Sequence, residues 1–174
     1  MRLFVAAVLP QDLLEALSET SASLRDAVRG RYVAPDSLHV TLAFLGEVDA
    51  ARLDELTEAL ACACASHGPI EATLGELGSF GSPRRATLWQ AVHGGQELPA
   101  LADDVRAELS HAGFAYDQKG FLPHVTLMRA ADLTRGQLPM PCVERGTIRT
   151  VALFRSDLSG PRPRYEALET FDLS

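Results

Sequence analysis

Apolar and polar positions divide the chain into short segments of two kinds. Residues 2–8, RLFVAAV, are a continuous apolar run of strand length. Pro10 sits where a helix can begin. In the following QDLLEALSETSASLRDAVRG, the apolar residues Leu13, Leu14, Leu17, Leu24 and Val28 recur close to helical spacing, with Gly30 as a C-terminal stop. A loop with Pro35 and Asp36 leads to residues 38–45, LHVTLAFL, which read as a strand ended by Gly46. Residues 49–65 read as a helix. Two strands at 70–80 and 85–92 are split by the turn signal Gly-Ser-Pro, and an amphipathic helix over 97–113 is closed by Gly113. Residues 122–130 form another strand. From Gly146 onward the pattern predicts one or two more strands, with a Pro-rich turn at 161–163.

Strands and helices therefore mix without a strict β-α alternation, and no linker or low-complexity segment interrupts them. This predicts an α+β fold occupying residues 1–174 as one domain. A loose internal duplication refines that expectation. Leu38-His-Val-Thr-Leu42 recurs as Pro123-His-Val-Thr-Leu127, one copy in each half of the chain. Equivalent placement in both halves suggests two similar lobes whose sheets meet about a pseudo-twofold axis.

The duplicated segment also carries the chemistry. In a strand, side chains alternate between faces. His39 and Thr41 then share one face and Val40 and Leu42 the other; His124 and Thr126 are likewise opposed to Val125 and Leu127. The apolar pairs anchor each strand in a hydrophobic layer. The polar pairs can face one cleft, with two imidazoles and two hydroxyls around a shared point. Cleaving a phosphodiester with water needs one group to accept a proton and another to protonate the leaving oxygen. Imidazole suits both tasks near neutrality. Threonine hydroxyls can donate to nonbridging phosphate oxygens. His67, His93 and His111 are not at metal-ligand spacing, so no metal or other cofactor is expected.

Composition narrows the setting. Hydrophobic residues at 47% and charged residues at 22% match a folded globular chain. No apolar run reaches the roughly 20 residues of a membrane span. The opening run lacks a small-residue cleavage site and reads as a strand, not a signal peptide. Cys62, Cys64 and Cys142 are odd in number and poorly spaced for zinc or a redox pair, as expected of free thiols in a reducing cytoplasm. The absence of coiled-coil heptads or a long apolar helix face makes a monomer the default. A net charge of −7 argues against nonspecific coating of nucleic acid. The charge is uneven, however: residues 11–60 hold ten acids and four bases, whereas residues 119–164 hold three acids and eight bases, predicting a basic side from the later segment.

At these residues the sequence resembles the 2H phosphoesterase superfamily, and within it the bacterial and archaeal RNA 2′,3′-cyclic phosphodiesterases, also called 2′-5′ RNA ligases. RLFVAAVLP resembles the opening strand of that branch, HVTLAFLGEV (39–48) its first motif, and FLPHVTLMR (121–129) its second. LFRSDLSGPRPRYEAL (153–168) resembles its closing hairpin. The resemblance implies a bilobal fold with antiparallel sheets lining a central cleft, one H-x-T-x motif in each lobe. It implies metal-free hydrolysis of RNA 2′,3′-cyclic phosphates to 2′-phosphomonoesters. Joining a cyclic phosphate to a 5′-hydroxyl in a 2′-5′ linkage gives the ligase name. Carried over, His39 and His124 are the acid–base pair, with the division of roles open, and Thr41, Thr126 and Arg129 bind the substrate phosphate. Phe80 with Arg84 or Arg85 could touch a base or a phosphate. The alternatives are a phosphodiesterase of small cyclic nucleotides, a noncatalytic RNA- or nucleotide-binding module, and a structural domain in which the repeated strands are only sheet packing.

Overall fold

The computed structural model describes residues 1–174 and contains nine strands and three α-helices. In chain order these are β1 (Arg2–Val8), α1 (Gln11–Arg25), β2 (Arg29–Tyr32), β3 (Val40–Glu47), α2 (Leu53–Ala65), β4 (Ile70–Phe80), β5 (Ala86–His93), α3 (Glu97–His111), β6 (His124–Asp132), β7 (Arg145–Ile148), β8 (Thr150–Asp157) and β9 (Arg164–Asp172). The strands make two antiparallel sheets, ordered β3-β1-β8-β9 and β2-β6-β5-β4-β7. Helices α2 and α3 pack on each other and on the first sheet, and α1 packs against β7 of the second. The buried apolar faces join in one continuous core.

Several boundaries differ from the sequence reading. Gly30 does not stop the first helix. That helix ends at Arg25, and Gly30 lies inside β2, where a Cβ would meet Met128 Sδ at 2.5 Å. Glycine is needed there for close strand approach. Gly46 does not end its strand; it adopts φ +70° within β3, which runs to Glu47. The third helix stops at His111, before Gly113, whose φ of +71° turns the chain. Strand β6 begins and ends two residues later than expected, and the tail holds three strands, not one or two. Short β7 escapes a pattern reading because RGTI has no apolar run of its own.

Each sheet carries one copy of the repeated motif, but neither sheet is one half of the sequence. β8 and β9 from the C-terminal end complete the sheet of β1 and β3, while β2 joins the sheet of β6. The helices are exchanged as well: α3, which precedes the second motif, packs on β3 of the first.

Both motif strands are bulged in the same way. Along β1–β3, Ala6 pairs with Thr41 and Val5 with Ala43, leaving Leu42 as an extra residue. Along β5–β6, Trp89 pairs with Thr126 and Leu88 with Met128, leaving Leu127 extra. A bulge shifts the alternation by one. Leu42 and Ala43 are therefore both buried, as are Leu127 and Met128. The freed carbonyls find partners outside the ladder. Leu42 O accepts from Arg106 Nε at 3.0 Å, and Leu127 O from Val33 N at 2.9 Å. Unpaired, a buried carbonyl would cost about 1–3 kcal/mol.

Candidate active site

β3 and β6 approach each other where the two sheets meet, and the two motif histidines are near enough for the charge of His124 to act on His39. The alternation holds through the first part of each motif: Val40, Leu42, Val125 and Leu127 are fully buried, while His39, Thr41, His124 and Thr126 are partly exposed on the opposite face. The two histidines are held alike. His39 Nδ1 lies 2.7 Å from Ser37 O, and His124 Nδ1 is hydrogen-bonded to Leu122 O, in each case the carbonyl two residues earlier. A carbonyl only accepts, so both Nδ1 atoms carry the proton and donate it. This leaves Nε2 as the working nitrogen of each ring. His39 Nε2 lies 3.0 Å from Thr41 Oγ1, whose hydroxyl can donate to it. Thr126 Oγ1 makes no hydrogen bond within the protein, leaving its donor available to a ligand.

Their surroundings differ. His39 stands in an aromatic box, with ring centroids of Phe4 at 4.9 Å, Tyr165 at 5.5 Å and Phe154 at 6.3 Å. Burial lowers its pKa to about 4, and the nearby charges of Arg129 and His124 push the same way. His124 is flanked by Phe80 at 5.3 Å and Trp89 at 5.6 Å. Gly78 makes room for that indole, since a Cβ there would collide with the Trp89 ring.

A cavity of about 250 Å³ opens over His39 and Thr41. Its walls include Arg2, Phe4, Phe44 and Arg129, and the β8–β9 hairpin closes it with Ser156, Leu158, Pro163 and Tyr165. His124 and Thr126 are not part of this lining; they stand on the adjoining strand. Arg129 reaches the cavity through the bulge. Five residues after His124, strict alternation would point it away from the cleft; the extra residue at Leu127 brings it back. Phe44 occupies the matching position, five residues after His39, and lines the same cavity.

His39, Thr41 and Arg129 line one cavity, with His124 and Thr126 on the adjoining strand, and the aromatic neighbours of both histidines escaped the sequence. Phe4, Phe154, Tyr165 and Trp89 enter through long-range strand pairing, which no local pattern reports. Phe80 is 44% exposed beside His124. Arg84 and Arg85 lie in the exposed β4–β5 turn instead, near the far end of β6, where Leu133 N donates to Pro83 O. The basic 119–164 segment is only partly committed to the cleft: Lys119 pairs with Asp117 and Arg155 with Glu166. The remaining histidines have carboxylate partners elsewhere, His67 with Asp104, His93 with Glu76 and His111 with Glu108. No three His, Cys, Asp or Glu side chains are grouped so that they could hold a metal ion. No helix is long and apolar enough to cross a membrane.

Two antiparallel sheets, each offering an H-x-T-x strand to one cleft, define a 2H phosphoesterase architecture. A family model described as 2′-5′ RNA ligase superfamily matches residues 10–142. Curated proteins named RNA 2′,3′-cyclic phosphodiesterase are similar over almost all of this chain. The Archaeoglobus fulgidus protein is 31% identical, covering 99% of this chain and 100% of its own length. The Escherichia coli protein is 30% identical, covering 99% and 97%. One from Geobacillus stearothermophilus is 30% identical over 98% of this chain, which spans 56% of that longer protein. Among solved structures, a Thermus thermophilus protein superposes with a TM-score of 0.87 at 30% identity, covering 99% of this chain and 98% of its own. Escherichia coli LigT complexed with 3′-AMP superposes with a TM-score of 0.83 at 28% identity, with the same coverage. The chain belongs to the 2′-5′ RNA ligase superfamily.

Proposed function

We propose that this protein opens 2′,3′-cyclic phosphate ends of RNA to 2′-phosphomonoesters, using His39 and His124 as an acid–base pair and no cofactor. One observation carries the reading: two matched histidines, near enough for their charges to interact, each have Nδ1 tied to a backbone carbonyl, which leaves Nε2 as the nitrogen for proton transfer, with Thr41 Oγ1 as the neighbour of His39 Nε2. The names of the curated relatives support the substrate, and the solved complexes of LigT with 3′-AMP and with phosphate support a ligand that carries a nucleotide phosphate.

In this mechanism the cyclic phosphate lies between the motifs. Thr126 and Arg129 donate to its nonbridging oxygens, and the Thr41 hydroxyl turns from His39 Nε2 to do the same, which leaves that nitrogen open as charge builds on the attacked phosphate. Water attacks phosphorus and passes a proton to the base. The P–O3′ bond breaks, and the 3′ oxygen takes a proton from the acid. His39, neutral in the free protein down to about pH 4, acts as the base, and His124 acts as the acid. The same attack by a 5′-hydroxyl in place of water joins two ends in a 2′-5′ linkage. Three free cysteines and only scattered exposed apolar side chains support a cytoplasmic monomer.

The test is incubation of a short RNA ending in a 2′,3′-cyclic phosphate with the protein in EDTA, beside His39→Ala and His124→Ala. Opening to a 2′-phosphate by the unmodified protein, with each variant slower by on the order of a hundredfold or more, is the expected result. Absence of opening by the folded protein would overturn the reading, and small cyclic nucleotides would be the next substrates to try.

A further inference from the structure

The cleft face of the second sheet continues past Arg129. Arg31 of β2 stands directly across from Arg129 of β6, and Tyr32 from Met128. Tyr32 packs against the core and Met128 is fully buried, so Arg31 and Arg129 share the opposite, cleft-side face. Neither guanidinium has a hydrogen bond or an ion pair within the protein, and both residues are exposed. Like charges directly across a strand pair are destabilising. Nothing in the fold compensates this pair; an anion between them would.

The same face then carries Arg29, paired across the strands with Asp132. Beyond it lies a second cavity, of about 280 Å³, lined by Arg25, Asp26, Arg29, Asp132 and Arg135 among others. Its carboxylates are fewer than its guanidiniums. One of them, Asp132, already accepts hydrogen bonds from the amide and hydroxyl of Thr134. From Thr126 to Asp132 the path is at most about 20 Å at ~3.3 Å per residue, long enough for several nucleotides. A cyclic phosphate occupies the 3′ end of an RNA, so the rest of the chain can leave the cleft only on its 5′ side.

We propose that Arg29 and Arg31, with the arginines around the second cavity, hold backbone phosphates of the RNA chain 5′ of the reacting end, so that the enzyme selects oligonucleotides over mononucleotides. The proposal rests on the phosphodiesterase reading for the direction of the chain. Arg25 stacks on the Tyr32 ring at 5.2 Å on the core side of β2, whereas Arg29 and Arg31 offer guanidiniums with no aromatic ring over them, so the track reads phosphates and not base identity. It also draws on residues 25–31, inside the segment whose acid count marks it as the acidic part of the chain.

The experiment compares one cyclic nucleotide as a mononucleotide and as the 3′ end of a six-nucleotide RNA, for the unmodified protein, Arg29→Gln/Arg31→Gln and Arg29→Lys/Arg31→Lys. Two readouts are taken: the ratio of kcat/KM between the two substrates, and anisotropy of a labelled six-nucleotide RNA ending in 2′-phosphate, competed with the mononucleotide product. The unmodified protein should favour the longer ligand about tenfold or more in both. The Gln variant should lose most of that ratio and flatten the log–log salt dependence of RNA binding by roughly 1.4, at about 0.7 per lost phosphate contact. The Lys variant, which keeps the charges, should keep most of the preference. A length preference unchanged in the Gln variant, or equal losses on both ligands, overturns the track. If neither substrate is opened but the anisotropy preference still depends on these arginines, the reading of the reaction fails and the RNA track stands.

Discussion

His39 and His124 are one residue type in two solvent environments, and the difference has consequences that can be measured. An unfolded histidine titrates near 6.5, whereas native His39 is held neutral to about 4 by its aromatic box. Above about pH 6.5 neither state binds the proton, and His39 adds no pH dependence. As pH falls from there toward 4, the unfolded chain takes up a proton that the native protein refuses. Stability therefore drops with falling pH, by at most about 1.4 kcal/mol per unit from this residue. Urea midpoints of the unmodified protein and His39→Gln, compared at about pH 7 and about pH 5, check it: the variant should lose part of the slope, and equal slopes would mean that His39 titrates normally. If His39 is the base, as proposed, the acidic limb of kcat/KM should fall below the ordinary histidine range, and a pH–rate profile checks it. In the proposed mechanism Arg129 holds the substrate phosphate through charge-assisted hydrogen bonds, which are worth about 1.5–3 kcal/mol. Arg129→Ala should therefore lower kcat/KM by roughly 10- to 150-fold, and steady-state kinetics on an RNA cyclic phosphate would show it.

At the scale of the element, what was legible was the period and what was hidden was its interruption. His-Val-Thr-Leu states its own two faces, and the four apolar and four polar positions fall where alternation puts them. A bulge has no such signature. Leu42 and Leu127 look like ordinary strand residues, yet each is the extra residue that returns position five, Phe44 or Arg129, to the cleft. Arg129 could be chosen from the sequence only by resemblance, because its parity pointed the wrong way. Gly30 misled for the related reason that a glycine after an amphipathic run marks a helix end and a close strand contact equally well. The first bulge depends on Arg106, which donates to Leu42 O, donates again to Lys119 O at 3.1 Å, and lies near the rings of Tyr116 and Phe121. Arg106→Ala should cost about 1–3 kcal/mol by orphaning the Leu42 carbonyl, and should lower activity because Thr41 is the next residue back. Chemical denaturation together with turnover would separate these effects. Loss of stability with full activity would mean that the bulge keeps its geometry without the arginine.

Across the whole molecule, pseudo-symmetry is read more easily than connectivity. The two motifs, 85 residues apart, announce two related sheets, but no local pattern tells that β8 and β9 return to β1 or that β2 crosses to β6. This interleaving has a thermodynamic consequence. Neither sheet can be completed from one half of the sequence, and α3, placed by chain order before β6, is packed on β3. A sheet that unfolded alone would leave the chain crossing between folded and unfolded parts several times and would expose its partner's side of the shared core. We therefore expect one cooperative transition. The single tryptophan makes this testable without engineering: Trp89 sits in the second sheet, against Phe80 and His124, so its fluorescence follows that sheet, whereas far-ultraviolet circular dichroism follows the helices, two of which lie on the first sheet. Coincident urea midpoints from the two probes are the expected result for one unit. A fluorescence midpoint displaced from the circular dichroism midpoint would show that the sheets unfold separately. The cleft would then be an interface between two independently stable lobes, and substrate bound across it should bring the two midpoints together.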